Sequence, residues 1–496
     1  MKLEEVRMLL KKMSTLLSLV VLATMLLAAC APATTPAAPQ PTVAPQIVEV
    51  TKIVAGTPVV VTATPAPTNA PTATNSPYDD KAPIKVWVDA ERAKQVQAFI
   101  KKFPEKGKLI EIVNDQLGAL VQQKLQLYNN VGGGWPDVIF EDPSTWHTVN
   151  TVAYNFFPAD LSPWIQKDTL DKFYPGANEA CKTTDGKLIC LRNDIAPNMM
   201  YYNVPLFKEF GYEPPKTWEE YLTLAEKVAK EHPGYTLGEL DGWEPALMWY
   251  RVSECPLLEP LSPSKFRVNF LHPNCTRMSE MLDKVNALGV LDKQGIWSAD
   301  YAKVWKANKW LIHFSPSWFP DFVIKGTYLD PADAKFLGTV GIAPIPNWAE
   351  QKKHVTSNVG GGSYAMSSHT KNPKLAAELI VFCSTDPEVG KAQAATPAYQ
   401  PSAQQWGAAL LTRVPLLAAN PDPWKVIDQS AGEMWGGIAA QDSAVEGPPK
   451  SSPIVSPLFG QAVTDKKPIV GIAAEVQKQL VEMVQKSGFE VETTGP

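Results

Sequence analysis

Met-Met-Tyr-Tyr-Asn-Val-Pro-Leu-Phe-Lys-Glu-Phe-Gly-Tyr-Glu-Pro-Pro-Lys-Thr-Trp-Glu-Glu, from Met199 to Glu220, reads as a short apolar strand, a short helix, a Pro-Pro stop and a second helix. The second helix is well marked at its start. Thr217 with Glu220 three residues later is a capping box, in which hydroxyl and carboxylate satisfy each other's orphan backbone donors. Tyr221, Leu224, Ala225 and Val228 then recur at helical spacing and give that helix one apolar face.

The same alternation extends in both directions. The pattern predicts a strand over 84–88 and a helix over 91–103, with Val96, Phe99, Ile100 and Phe103 on one face. A strand near 109–113, a helix over 117–130 and a strand over 137–140 follow. After a Trp-rich middle region, strands resume over 310–314, 340–345 and 363–366. Asn372-Pro373 then opens a helix, with Asn as cap and Pro at the first helical position. Strands alternating with helices imply α/β layering with mainly parallel pairing, and no internal repeat is visible.

The N-terminal residues stand apart from this fold. Arg7, Lys11 and Lys12 form a basic region, 14–29 is uncharged and mostly apolar, and Leu27-Ala-Ala-Cys30 has the form of a bacterial lipoprotein signal. Residues 1–30 are therefore expected to be a signal peptide with Cys30 as the lipidation site, the lipid holding the mature chain on a membrane without a spanning helix. Residues 31–78 hold ten Pro and ten Thr, with Glu49 and Lys52 as their charges, and are expected to be a disordered tether.

The remaining 418 residues suffice for two sizeable lobes. They carry 41 basic and 48 acidic side chains, and this acidic balance without a basic run argues against nucleic acid as a partner. Cys181 and Cys190 flank a turn-rich hairpin, and Cys255 and Cys275 bracket a Pro-rich loop; both are expected disulfides. Cys383, on the apolar helix with Leu375, Leu379 and Phe382, is expected to be a buried thiol. No Cys-x-x-Cys or neighbouring His supports a metal site, and no cofactor is implied.

The opening stretch, ending its strand Tyr-Tyr-Asn and continuing to Pro-Pro-Lys-Thr-Trp-Glu-Glu, resembles the extracellular solute-binding proteins (family 1) of ABC importers, the family that includes maltose-binding protein. Gly134-Trp-Pro-Asp-Val-Ile-Phe, Pro158-Ala-Asp-Leu-Ser-Pro-Trp-Ile, Gly341-Ile-Ala-Pro-Ile-Pro, Gly360-Gly-Gly-Ser-Tyr-Ala-Met and Ser384-Thr-Asp-Pro-Glu are similar to further blocks of that family. Gly186-Lys-Leu-Ile-Cys-Leu also matches, but Arg192-Asn193 stands where the family has Pro, so the crossover there is expected to differ. The resemblance implies a two-lobed periplasmic-binding-protein fold with a ligand cleft between the lobes and several crossover segments. One lobe maps to 79–192 with 346–385, the other to 193–345 with 386–496.

In α/β sheets, ligands bind at the carboxyl ends of strands. That rule selects Asp89 and Glu91 after the first strand, Glu141, Asp142 and Trp146 after the 137–140 strand, Asp194 near the crossover, and Trp318 after the 310–314 strand. Gly360, Gly361 and Gly362 would let backbone approach a ligand closely. The resemblance places the same positions at the cleft and adds Trp243 and Glu244. Carboxylates accept paired hydrogen bonds from adjacent hydroxyls, and indole rings cover the apolar C–H faces of sugars.

The resemblance thus implies a lipid-anchored, monomeric receptor at the outer face of the cell membrane. It would take a mono- or oligosaccharide by hinge closure and deliver it to the permease of an ABC importer. Two alternatives share these residues. One is a surface-anchored carbohydrate-active enzyme, although no catalytic motif appears among the scattered His and Ser. The other is a receptor for a polyamine or another non-sugar solute. Gly132–Gly134 and Gly360–Gly362 lack a following Gly-Lys-Ser/Thr, so no ATPase is indicated.

Overall fold

In a computed structural model, residues 78–114, 119–150, 154–240, 244–262, 264–330, 332–435 and 452–493 are described. Cys30, the signal and all but the last residue of the expected tether lie outside them.

Five strands form the first sheet: β1 (Ile84–Val88), β2 (Ile110–Asn114), β3 (Val138–Glu141), β4 (Leu191–Arg192) and β11 (Ser363–Met366), in the order β2-β1-β3-β11-β4. Ile84, Val86, Trp87 and Val88 are all buried, which is why β1 reads as an unbroken apolar run. A second sheet, β10-β6-β9, is built from β6 (Asn198–Asn203), β9 (Ile312–Pro316) and β10 (Val340–Ala343). Two smaller sheets complete the set among the described residues. One pairs β5 (Asp194–Ile195) with β12 (Thr396–Pro397); the other joins β7 (Leu258–Ser262), β8 (Lys265–Val268) and β13 (Glu490–Glu492).

The pairing is less parallel than the alternation of elements suggests. β1 runs parallel to β2 and β3, but β11 enters the first sheet antiparallel to both β3 and β4. In the second sheet Tyr201 opposes both His313 and Ile342, each across an antiparallel pair. The parallel rule assumes that each strand is followed by a helix returning to the same sheet. Here the chain leaves the first sheet after β4 and re-enters it only at β11, so that rule does not apply.

The opening stretch folds as its residues require. β6 has both faces covered: Met200 packs with Trp218, Tyr221 and Phe314, while Met199 and Tyr201 pack with Trp305, Phe319 and Ile342. Strand alternation sends successive side chains to opposite faces, so Met-Met-Tyr-Tyr serves two cores at once. Asn203 caps the next helix (Val204–Phe210), which Gly211 ends in the left-handed region at φ 68°. Thr217 and Glu220 make both bonds of the capping box at the start of the helix Trp218–Glu231. Trp218, Tyr221, Leu224, Ala225 and Val228 are the buried face of that helix.

A separate core underlies the first sheet, from Ile84 through Leu191 and again over Tyr364 to Cys383. Ala398 and Ala403 join this core, whereas Ile345 and Val359 join the core that holds Met200 and Trp218. Cys181 is bonded to Cys190 and Cys255 to Cys275. Cys383 is a buried thiol whose pKa burial pushes well up. No helix of the described residues is long and apolar enough to cross a membrane.

Two predictions follow from this packing. The Cys255–Cys275 bond closes a loop with a sequence separation of 20. Replacing both cysteines by Ala is therefore expected to cost about 3 kcal/mol in urea unfolding. An unchanged midpoint would contradict this.

His313 is fully buried, hydrogen-bonded to the Tyr301 hydroxyl at 2.7 Å and stacked on Phe319, and burial lowers its imidazole to about 3. Because the folded value lies below the unfolded one, its stabilising contribution is present above about pH 6.5 and is lost as pH falls toward 3. Between pH 8 and pH 5 that loss amounts to about 2 kcal/mol. His313→Phe should flatten this part of the stability–pH curve. A variant as acid-sensitive as the parent would refute the assignment.

Candidate functional site

Asp89 follows β1 and caps α1 (Ala90–Lys102), accepting from the Arg92 N–H at 2.8 Å. A cap at this position turns the first helical turn back over the strand end, and with it the Arg92 side chain. Arg92 Nη1 lies 3.4 Å from Asp89 Oδ2, while Nη2 donates to Asp194 Oδ2 at 2.6 Å. Its guanidinium carbon sits 4.2 Å from the centre of the Phe140 ring. Burial alone would lower the Arg92 pKa, but Asp194 and Asp89 together carry it above its ordinary value.

Asp194, the first residue of β5, has no exposed side-chain surface. Its other oxygen accepts from the Gly362 N–H. Both carboxylate oxygens are therefore engaged within the protein. Asp89 also meets Arg92 through both oxygens, but 36% of its side chain is exposed.

The segment 358–362 is gripped from several directions. Arg192 donates to the carbonyls of Gly361 and Gly360 at 3.3 and 3.4 Å, and Asn358 Nδ2 donates to Gly360 at 2.8 Å. Arg251 donates to the Asn358 carbonyl at 2.7 Å, and Trp318 Nε1 to the Val359 carbonyl at 3.0 Å. The sequence suggests that these glycines make room for a ligand. In the structure their room is taken by protein groups. A Cβ on Gly361, at φ 83°, would lie 2.7 Å from the Asp194 carbonyl, and one on Gly362 would lie 2.0 Å from the Phe140 ring.

The other sequence-selected residues scatter. Asp142 caps the helix Pro143–Val149, accepting from Ser144, and is half-buried beside the half-buried Glu141. Trp146 is fully buried, its indole donating to Ser363 Oγ at 2.7 Å, so it is a core residue rather than a cleft wall. Glu91 pairs with Lys94 and lines a different groove, with Gln95, Phe382 and Asp386, in which Asp89, Asp142 and Asp194 take no part. Trp318 is half-buried next to Gly360. Trp243 lies outside the described residues; Glu244 begins the helix Glu244–Val252, but its side chain lies outside them too. No group of metal-binding side chains occurs among the described residues.

Arg92 and Phe140 are site neighbours that sequence reading passes over. Arg92 carries a weak local signal, three residues beyond a capping Asp. Its partner Asp194 is 102 residues away, and no spacing rule reaches that far.

Residues 94–409 match the bacterial extracellular solute-binding protein family. This chain belongs to that family. Among curated relatives it is 25% identical over 302 residues to the arabinooligosaccharide-binding protein of Bacillus subtilis, an alignment covering 60% of this chain and 66% of that one, just under two thirds of the relative's length. Among solved structures it is similar to the galacto-N-biose-/lacto-N-biose I-binding protein of the ABC transporter from Bifidobacterium longum, with a TM-score of 0.65 at 16% identity over 84% of this chain and all of that one. It is also similar to the ABC transporter associated binding protein from B. animalis subsp. lactis in complex with beta-1,6-galactobiose, with a TM-score of 0.64 at 18% identity over 84% and 100%. At these identities the structural matches establish the two-lobed fold alone.

In this solute-binding protein, Arg92 and Asp194 form a buried pair whose partners are costly to separate. Arg92→Met is expected to lose about 3 kcal/mol in urea unfolding, because it strands the Asp194 carboxylate. Adding Asp194→Asn to that variant should recover most of the loss. Equal stability of Arg92→Met and the parent would show that the pair does not matter.

Proposed function

We infer that this protein captures a carbohydrate between its two lobes and hands it, by hinge closure, to the permease of an ABC importer. The chemistry of the side chains around the crossover carries this reading. On the first-lobe side stand the accessible Asp89 carboxylate and the half-buried acids Glu141 and Asp142. In the second sheet's part of the chain, Trp318 is pinned by its indole N–H to the Val359 carbonyl, directly beside Gly360. Acids that accept from hydroxyls and an indole that offers an apolar face suit the two kinds of surface on a sugar ring. The sugars named for the relatives point the same way: arabinooligosaccharide in one, lacto-N-biose in another.

In this reading Asp194 and Gly361–Gly362 act as a strut. They hold the crossover at which the lobes hinge rather than touching the solute. The protein works as a monomer that binds without turnover and needs neither cofactor nor metal. A lipid on Cys30 and the Pro- and Thr-rich stretch 31–78 keep it at the outer face of the membrane, within reach of its permease.

A thermal-shift panel of sugars and polyamines tests the reading. A bound sugar at about a hundred times its dissociation constant adds about 2.7 kcal/mol of stability, and Trp318→Ala removes most of that gain. Stabilisation by a polyamine with none by any sugar would replace the carbohydrate assignment, and hydrolysis of a candidate oligosaccharide would replace the transport role.

A further inference from the structure

Trp297 has an unusual position for its size. It is 67% exposed, yet the backbone on either side of it is firmly held. Ile296 is buried, and its carbonyl accepts from the Tyr328 hydroxyl. Ser298 caps the helix Ala299–Lys306, accepting from the Tyr301 N–H at 3.1 Å. A large apolar ring held out in water by a rigid frame gains nothing for folding, and such rings mark contact surfaces when they occur together.

This ring is not alone. Trp297 and Trp318 are nearly parallel, 10° apart, with centroids separated by 6.0 Å. At a contact separation of about 3.5 Å, that distance corresponds to a sideways displacement of about 5 Å. The two indoles therefore form a stepped terrace rather than a closed stack. Phe322, 47% exposed, meets Trp318 edge-on at 6.2 Å. Exposure rises outward along this ledge, from Trp318 beside the crossover glycine to Phe322 and Trp297. Aromatic faces in steps match a chain of sugar rings that presents one apolar C–H face after another.

We propose that the Trp318–Trp297–Phe322 ledge is an extended subsite for the second and later rings of a linear oligosaccharide, so that the solute is an oligosaccharide rather than a monosaccharide. The terminal ring lies at Trp318 and the crossover acids, and the chain runs outward over Trp297. This rests on the carbohydrate reading above and adds to it the length and direction of the ligand.

Titration calorimetry with graded series decides it: arabinose to arabinotriose, galactose with β-1,6-galactobiose, and glucose to maltotriose. In the series that binds, affinity is expected to rise at least tenfold from the single sugar to the longer members. Trp297→Ala should weaken the longer members roughly three- to tenfold and leave the monosaccharide unchanged, with Trp297→Phe keeping most of the affinity. Trp164→Ala, which removes an indole that is exposed in a groove elsewhere on the first lobe, is the control and should change nothing. Binding that is indifferent to chain length, or to Trp297, overturns the ledge while leaving the carbohydrate reading intact. Absence of binding in all three series removes that reading, and the ledge falls with it.

Discussion

A buried carboxylate organises the junction of this molecule. Asp194 sits where the chain leaves the first sheet, and an ionised group without solvent must find charge and donors nearby or lose its ionisation. It finds a guanidinium on α1 and a backbone N–H on the segment that re-enters the first sheet at β11. Satisfying it therefore fixes three pieces of chain against one another. The charged partner in turn draws in Asp89 and lies across the face of Phe140, so that cap, strand end and crossover become a single unit. The glycines at 361 and 362 follow from the same constraint. The backbone must come close enough to donate to Asp194 and pass over Phe140, and any Cβ would prevent it.

Around this junction the core under the first sheet and the two cores flanking β6 divide the work differently. The first has a mixed sheet whose β1 is buried along most of its length, with Asp89, Glu141 and Asp142 at the ends of its strands. The other two cover the two faces of β6 and carry many of the aromatic groups, some sealed inside and some left outside. Trp305 and Trp310 stack at 3.8 Å in the interior, while Trp297 and Trp318 stand at the edge. Composition cannot separate these roles. An indole in a core and an indole on a ledge are the same residue, distinguished only by what the tertiary fold places over it.

The helices and their caps were legible in the sequence because their determinants are local. Thr217 and Glu220, Asn372 and Pro373, and the apolar face from Tyr221 to Val228 each act within a turn or two of chain. The two disulfides were legible for a similar reason, each closing a short loop. The acids at strand ends were found by the rule for α/β sheets, but their state was not. Asp142 proved to be a helix cap, Glu91 faces another groove, and Trp146 is core. A side chain two positions farther along a helix points in another direction, and strand-end proximity says nothing of that.

The residues alone thus determined the order of elements, the caps that start and stop them, the apolar faces they bury and the family to which the chain belongs. All of these depend on interactions among near neighbours or on motif order. Only the tertiary structure decided that β11 and the whole second sheet pair antiparallel, that Arg92 neutralises Asp194 from 102 residues away, and that Trp297 stays in water beside Trp318. The physical reason is common to all three. Register, long-range charge pairing and exposure are properties of surfaces brought together by folding, and no periodicity along the chain encodes them.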